Sequence, residues 1–297
     1  MSQDEGRYYL SRVIKFGDLT QDKLVDAIVN SPTQRIGKFH WTITDSMDNR
    51  RGTPSFVFGK LAKYSSEGHV TVVDTSEKSQ RDAIAQNLLA ASSPFVYLPD
   101  FSGIAFLHVW NEIQEDVFPK RFESLIRDAY DNFFVGCELE PIADYREFVQ
   151  KLEGLERITE IRAKVHPPNP LFGDRWKKLK EYLEERGASE LTVDEKQKGG
   201  GGLNTKIQGL VKGLLEPEQA DSRGTPQVDV TDAALLMAAD GYGKGKVVGE
   251  QRGEMIVVRT SEAHKSFSFP KEPEPEALAK VVADLFEGIS EERHMEH

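Results

Sequence analysis

The sequence predicts an α+β protein of two mixed domains, built on antiparallel or mixed sheets with flanking helices. Runs rich in aromatic and β-branched residues alternate with segments of helical spacing in both halves of the chain. With 297 residues, 38% of them hydrophobic, the chain can bury a substantial core. We place an N-terminal β-rich domain at residues 1–131. A C-terminal domain at residues 132–297 would carry a basic helix, a glycine-rich loop and an acidic C-terminal helix.

Composition and cysteine content exclude several classes of protein. Charged residues make up 29% of the chain, which is typical of a globular protein and not of a disordered one. The single cysteine, Cys137, excludes an internal disulfide framework, and its apolar surroundings predict a buried structural thiol. No apolar run approaches the roughly 20 residues that span a bilayer. The acidic N-terminus has no signal-peptide core, so we expect a cytoplasmic protein. The histidines are isolated in the sequence, and we expect neither a metal ion nor a cofactor.

The first third of the chain is predicted to form mainly antiparallel strands. Apolar alternation between turn residues predicts strands at residues 7–16, 38–44, 55–64 and 69–74. Helical spacing predicts one helix at 19–29 and another at 78–90, the second because Ile84, Leu88 and Leu89 fall on one side. Residues 94–98 and 104–110 are predicted to form a hairpin around a turn at 99–103.

The remaining two thirds alternate between helices and strands. Periodic apolar residues predict helices at 118–130, 144–152, 174–186, 204–215, 233–239 and 276–286. Strands are predicted at 133–139, 157–165, 190–193, 246–260 and 265–269. Prolines at 167, 168 and 170 bar regular structure before the helix at 174–186, which Asp174 is expected to cap.

Charge is unevenly distributed around a net value of −11. Residues 157–212 hold twelve Lys or Arg against eight Asp or Glu, whereas residues 272–297 hold eight acidic residues against two basic ones. Affinity for nucleic acid depends on local charge, so a negative net charge does not exclude a basic binding surface.

Clustered basic residues are the strongest chemical signal in the sequence. They occur at a predicted hairpin tip, in the first turns of the helix at 174–186 and around the four glycines at 199–202. A phosphate-loop motif fails there because Leu203 and Asn204 follow the last glycine. The candidate phosphate contacts are Arg50, Arg51, Arg175, Lys177, Lys178, Lys180, Lys196, Lys198, Lys206 and Lys212.

Two other functions stay open at this point. His40 and His69 each begin a His-x-Thr sequence within a predicted strand, the pattern of phosphoesterases in which one histidine is the base and the other the acid. A third possibility is a non-catalytic subunit whose acidic tail at residues 272–297 docks a basic partner. The sequence favours a non-catalytic role over an enzymatic one.

One segment carries a family resemblance. The residues Pro170, Phe172-Gly173-Asp174, Lys177 and Leu179, with Ala163-Lys164 before them and Glu140-Pro141 upstream, are similar to the corresponding segment of Rex-type phage-exclusion protein A. The resemblance implies sequence-nonspecific DNA binding, a homodimer, and a prophage-encoded role in antiviral defence by phage exclusion or abortive infection. It also implies a membrane-protein effector encoded nearby. The chain departs from that pattern in its acidic balance and its four-glycine loop.

Overall fold

The computed structural model describes residues 4–131, 133–166, 177–215 and 228–292, and shows an α+β fold with two antiparallel sheets. The large sheet contains β1 (Glu5–Gly17), β2 (Gln34–Ile36), β3 (Phe39–Asn49), β4 (Phe56–Asp74), β5 (Ser79–Leu98), β6 (Gly103–Leu107), β7 (Val135–Pro141) and β12 (Ser266–Pro270). The small sheet contains β8 (Arg157–Val165), β9 (Leu191–Lys196), β10 (Gly243–Gln251) and β11 (Glu254–Arg259). The fold class predicted from the sequence is confirmed.

Helices cover both faces of the large sheet and one face of the small sheet. They are α1 (Gln21–Val29), α2 (Val117–Asp128), α3 (Tyr145–Glu153), α4 (Lys177–Arg186), α5 (Ile207–Leu215), α6 (Val230–Met237) and α7 (Pro275–Glu292). Thr20 caps α1 by accepting a hydrogen bond from the backbone N–H of Lys23, and Asp144 caps α3 in the same way. Within the described ranges, no helix has both the length and the apolar character needed to cross a membrane.

Strand β1 is the central strand that connects the parts of the fold. One of its edges pairs with β6, while the other pairs first with β12 and then with β7. The change of partner occurs at Leu10, whose N–H donates to Lys265 O at 3.0 Å and whose C=O accepts from Ile142 N at 3.1 Å. Because β12 follows the small sheet in the chain and β7 precedes it, this junction fixes the small sheet beside the large one.

The core lies in three apolar clusters. One lies between the large sheet and helices α1 and α2, a second between the same sheet and α7, and the third between the small sheet and helices α3, α5 and α6. In the second cluster Phe286 of α7 is fully buried and stacks on Phe101 with ring centroids 5.6 Å apart. Gly103 permits this contact, because a Cβ there would lie 2.3 Å from the Phe286 ring.

The predicted helix at residues 78–90 is wrong, because these residues belong to β5. They pair with the second half of β4 in a long two-stranded ribbon, where Gly68 faces Ala85 and Asp74 faces Ser79. The helical spacing of only three apolar residues predicts a helix weakly, and hydrogen bonding to the neighbouring strand decides the structure instead. The strands predicted at 55–64 and 69–74 are one continuous strand, β4, for the same reason.

The predicted boundary between residues 131 and 132 does not separate the two sheets. Strands β7 and β12 and helix α7 follow that boundary, yet all three pair with or pack on the large sheet. Backbone pairing at both edges of β1 therefore decides the domain organisation, and residue order does not. The expected cap Asp174 and the proline-rich run before it lie outside the described residues.

Replacing Phe286 with Ala is expected to lower the free energy of unfolding by about 3–5 kcal/mol, since a fully buried aromatic ring leaves a cavity. Phe133→Ala is the matched control, because its ring is 71% exposed and its loss should change stability by about 0.5 kcal/mol or less. Urea denaturation followed by circular dichroism measures both. Equal midpoints for the two variants would contradict the packing of α7.

Candidate functional site

A cleft of about 680 Å³ lies between two parts of the structure. The outer face of the small sheet forms one side, and strand β7 of the large sheet with helix α2 forms the other. The small sheet can face the cleft because its residues alternate. Ile161, Ala163 and Val247 are buried against the helices, so the side chains between them point outwards. Gly245 allows this packing to be close, as a Cβ there would lie 2.7 Å from Leu235.

The small sheet presents two rows of basic side chains to the cleft. The strand register places Arg259, Lys246 and Arg162 side by side across β11, β10 and β8. Lys244 and Lys164 form a second row across β10 and β8. Adjacent strands lie about 4.8 Å apart and alternate residues of a strand about 6.6 Å apart, so the five charges form a compact grid. We call these five residues the basic wall.

Each cation of the basic wall contacts a carboxylate. The pairs are Arg162 with Asp194, Lys164 with Glu190 (2.8 Å), Lys244 with Glu140 (3.2 Å), Lys246 with Glu160 (2.6 Å) and Arg259 with Glu262 (2.8 Å). The wall side chains remain accessible, from 33% exposed at Lys246 to 71% at Lys244. Solvent screens exposed ion pairs, which then contribute little to stability. An incoming anion can therefore replace the more exposed of these carboxylates, those of Asp194, Glu190 and Glu262, at low cost.

The opposite side of the cleft carries carboxyl groups on α2 and β7. Burial raises the pKa of Glu123 on α2, although its Oε1 accepts a hydrogen bond of 2.7 Å from the backbone N–H of Leu139. Glu138 and Glu140 project from β7 at alternate positions. The acidic side therefore places the carboxyl groups of Glu123 and Glu140 across the cleft from the basic wall.

Glu140 is the most perturbed of these carboxyl groups. It is 1% exposed, and its Oε2 has no hydrogen-bond partner among the described residues. Burial raises its pKa to about 7, partly opposed by Lys244, while the neighbouring Glu138 carboxyl raises it further. A buried carboxyl group that titrates near neutrality and lines a cleft is typical of a functional position.

Lys244 connects the two sides of the cleft. Its Nζ lies 3.2 Å from Glu140 and 3.8 Å from Glu138. Burial lowers the pKa of Lys244, but the carboxylates of Glu140 and Glu138 outweigh that effect and raise it above its ordinary value. Lys244 therefore stays charged in the cleft at physiological pH.

Ser11 and His264 also line the cleft but do not form a nucleophile and base pair. The His264 Nε2 lies 2.8 Å from the backbone oxygen of Leu10 and 3.3 Å from Ser11 Oγ. Because Nε2 donates to that oxygen, it cannot accept the proton of Ser11. Burial lowers the pKa of His264 to about 4, so its imidazole is neutral at physiological pH. Over the described part of the chain, no group of three or more His, Cys, Asp or Glu side chains is arranged to hold a metal ion.

The structure does not gather the sequence-predicted contacts into one site. Arg50 and Arg51 lie at the β3–β4 hairpin tip, as predicted, and neither lines the cleft. Arg50 bonds to Asp48 and, at 2.6 Å, to Asp22, and these bonds raise its pKa above the ordinary value. The hairpin tip is thus already neutralised locally.

The other predicted contacts lie in the C-terminal half of the chain. Lys196 of β9 belongs to the same sheet as the basic wall and lies 3.5 Å from Glu160. Lys198 and Lys206 are exposed in the segment between β9 and α5, and Lys212 on α5 lies 3.5 Å from Glu153. Lys177, Lys178 and Lys180 begin α4, with side chains outside the described set, and Arg175 lies outside the described residues.

Sequence reasoning missed the basic wall, although a signal for it existed. Arg162-Ala-Lys164 and Lys244-Gly-Lys246 each repeat a basic residue at period two within a strand. That period places both cations of a pair on one face of the sheet. The separation of the two strands by nearly eighty residues hid the fact that they are neighbours.

Residues 22–220, about two thirds of the chain, match the model of a family described as a domain of unknown function, DUF4747. The matched segment includes Glu140, Arg162 and Lys164 and ends before Lys244, Lys246 and Arg259. No curated protein matches the chain significantly.

Replacing Glu140 with Gln is expected to stabilise the protein at alkaline pH. The folded state holds the Glu140 proton up to about pH 7 while the ordinary pKa is 4.5, so ionisation of Glu140 weakens the wild-type fold as pH rises through this window. Gln cannot ionise. The advantage of the variant in free energy of unfolding should grow from near zero at about pH 4 to roughly 3 kcal/mol above about pH 8.

Urea denaturation at the two pH values measures this difference. Glu67→Gln, at an exposed position of the β4–β5 ribbon, is the control and should change the free energy of unfolding little at either pH. A Glu140→Gln protein less stable than wild type at the alkaline pH would contradict the buried environment of this carboxyl group.

Proposed function

We propose that this chain, which belongs to the DUF4747 family, is a sequence-nonspecific DNA-binding protein that holds the phosphate backbone along its basic wall. The observation that carries the proposal is the grid of five cations on three adjacent strands, open to a cleft. Phosphate contacts from Lys and Arg supply most of the affinity of nonspecific DNA binding.

The acidic total charge of the chain does not oppose this role. Binding responds to the local potential, and a cleft with cations along one side concentrates that potential. On the opposite side, the raised pKa of Glu140, about 7, reduces the repulsion that an entering phosphate meets there. The exposed ion pairs of the wall exchange one anion for another, so binding does not require unfolding of the sheet.

The geometry of the cleft favours a single strand over a duplex. A volume of about 680 Å³ is the size of a site for a small ligand. A B-form duplex is wider than its major groove, which alone measures about 12 Å, so a duplex is too large to enter such a cleft. The wall side chains are Lys and Arg on strands, which hold phosphates without reading base edges. Lys196 extends the same face, and the cations of α4 remain predicted additional contacts.

The biological setting stays a prediction. The family match is to a domain of unknown function and does not bear on the resemblance to phage-exclusion protein A. We propose a cytoplasmic antiphage role in which the chain engages phage DNA and acts with a partner effector. Loss of protection against infection in cells that carry basic-wall variants tests that role.

The structure gives less support to the two alternatives. His40 faces Tyr64 across β3 and β4, while His69 lies five residues further along β4. That offset corresponds to roughly 16 Å, so the two imidazoles do not share a site. Within the acidic tail, Pro275–Glu292 form α7, whose apolar face is buried on the large sheet, so the carboxylates of this helix form its solvated face.

Removing three cations from the basic wall should weaken DNA binding strongly. The variant combines Lys164→Gln, Lys246→Gln and Arg259→Gln, and the probe is a fluorescent thymidine oligonucleotide. We expect affinity to fall at least about tenfold at about 0.05 M salt. The slope of log K against log salt, about −3.5 for five phosphates of a single strand, should become shallower by about 2.

A charge-matched control carries Arg35→Gln, Lys271→Gln and Lys280→Gln, all exposed and outside the cleft. Fluorescence anisotropy at several salt concentrations and thermal melting are measured on both variants. Equal affinity of the two variants would refute the basic wall as the DNA contact, and wild-type affinity independent of salt would refute phosphate binding altogether.

We also propose a homodimer, and a feature of the fold supports it independently of the family resemblance. The aromatic residues Tyr8, Phe56 and Phe58 of the early strands are buried within the large sheet and offer no surface for a second copy. The outer half of the β4–β5 ribbon does. Within the described residues its two strands pair only with each other, and one face exposes Val73 and Ile84 by 66% and 61%. An isolated hairpin is marginally stable in water, and a second copy can cover identical patches by twofold pairing.

Light scattering is expected to give a mass near twice 33.4 kDa. The variant Val73→Asp with Ile84→Asp should return the mass to the monomer value, because two charges would face each partner copy. Val72→Asp with Ser79→Asp places the same charge on the opposite face of the ribbon and should leave the dimer intact. A monomeric wild-type protein would refute this assembly.

A further inference from the structure

Glu140 and Lys244 differ from the other ion pairs of the cleft in one respect. The carboxylates that neutralise the rest of the basic wall are partly exposed, from 17% at Glu160 to 42% at Glu190. Glu140 is 1% exposed, and its Oε2 has no donor from the described residues although it lines the cleft. A buried carboxyl oxygen without a donor is costly, and a ligand that enters the cleft could supply a partner for it.

The charges around Glu140 restrict what that group can be. Lys244 of β10 contacts one of its oxygens. Glu138, two residues earlier on the same strand, has its carboxyl group within hydrogen-bonding reach of Glu140, and Glu123 of α2 faces Lys244 from across the cleft. Arg12 lies opposite Glu140 in the β1–β7 register, but its guanidinium donates to the backbone oxygen of Phe101.

His264 borders the same space and is neutral at physiological pH. An anion drawn to Lys244 would therefore meet the negative charge of Glu140 within contact distance.

Two negative groups at such a distance cannot both stay ionised at low cost. Protonation of Glu140 removes the repulsion and turns its unpartnered oxygen into a hydrogen-bond donor. A phosphoryl oxygen accepts such a hydrogen bond and an ammonium contact together.

We infer that Glu140 and Lys244 form a phosphoryl-binding position at which the ligand is taken up together with one proton on Glu140. The inference rests on the proposed function, since the basic wall brings the phosphate to the cleft. The proton comes from solvent, joins the carboxylate and returns to solvent when the ligand leaves, so no covalent bond of the ligand changes. Lys244 supplies the charge, and Glu140 supplies the donor.

The first test is the pH dependence of affinity for a thymidine oligonucleotide with fluorescein at its 3′ end. For the wild type, the dissociation constant should rise about tenfold per pH unit above about pH 7, because only the protonated fraction binds. Glu140→Gln keeps a neutral donor at every pH. Its dissociation constant should match the wild-type value at about pH 6 and stay constant up to about pH 8.5.

Glu123→Gln is the matched control, a half-buried carboxyl group that lines the same cleft and forms no ion pair with Lys244. This variant should keep the wild-type slope. A wild-type affinity that does not change with pH, or a Glu140→Gln protein that keeps the slope, overturns the inference.

Proton uptake provides a measurement on the unaltered protein. Calorimetric titration of the oligonucleotide in two buffers with different ionisation enthalpies should show close to one proton taken up per site at about pH 8. Glu140→Gln should take up none. No uptake by the wild type would also overturn the inference.

These outcomes are separable from a failure of the proposed function. If the oligonucleotide does not bind, or binds equally to the three-cation wall variant, the proposed function fails. If it binds with the expected salt slope but without a pH slope, only the proton-linked position fails. Strands with a 5′-phosphate and with a 5′-hydroxyl distinguish the source of the phosphoryl group. Equal pH slopes assign the position to the backbone, and a slope confined to the 5′-phosphate assigns it to a strand end.

Discussion

The backbone of Leu10 is the constraint on which the arrangement of the two sheets depends. Its N–H and C=O bond to Lys265 and Ile142, the residues immediately before β12 and immediately after β7. Since the whole small sheet lies between those two residues in the chain, one pair of hydrogen bonds closes a loop of more than 120 residues. The cleft opens beside this junction, and Ser11, Glu140 and His264 lie on its border.

The electrostatics of the cleft follow from that closure. Because strand β7, which carries two carboxyl groups, lies beside a sheet with two rows of cations, one buried carboxylate, Glu140, contacts an exposed cation, Lys244. Its carboxyl titrates near neutral pH, while the outer pairs remain screened by solvent. The site therefore combines accessible positive charge, which attracts phosphate, with a buried acid that couples binding to pH.

The predictions that succeeded rest on local physics. The strands predicted at 7–16 and 157–165 are β1 and β8, and the helices predicted at 19–29 and 144–152 are α1 and α3, which Thr20 and Asp144 cap. The failures are tertiary. Residues 78–90 have the spacing of a helix yet pair as a strand with β4. His40 and His69 look paired in sequence, but the register separates them.

The sequence by itself determined most of the elements, the α+β class and the burial of Cys137, because each depends on side chains that are neighbours along the chain. Only the tertiary structure decided where the site lies. Arg162 and Lys164 meet Lys244 and Lys246 because β8 and β10 pair, and Glu140 acquires its raised pKa because β7 lies against them. The pKa of Glu140 and the arrangement of the basic wall both depend on distances between residues that are far apart in the chain. The order of residues does not specify these distances.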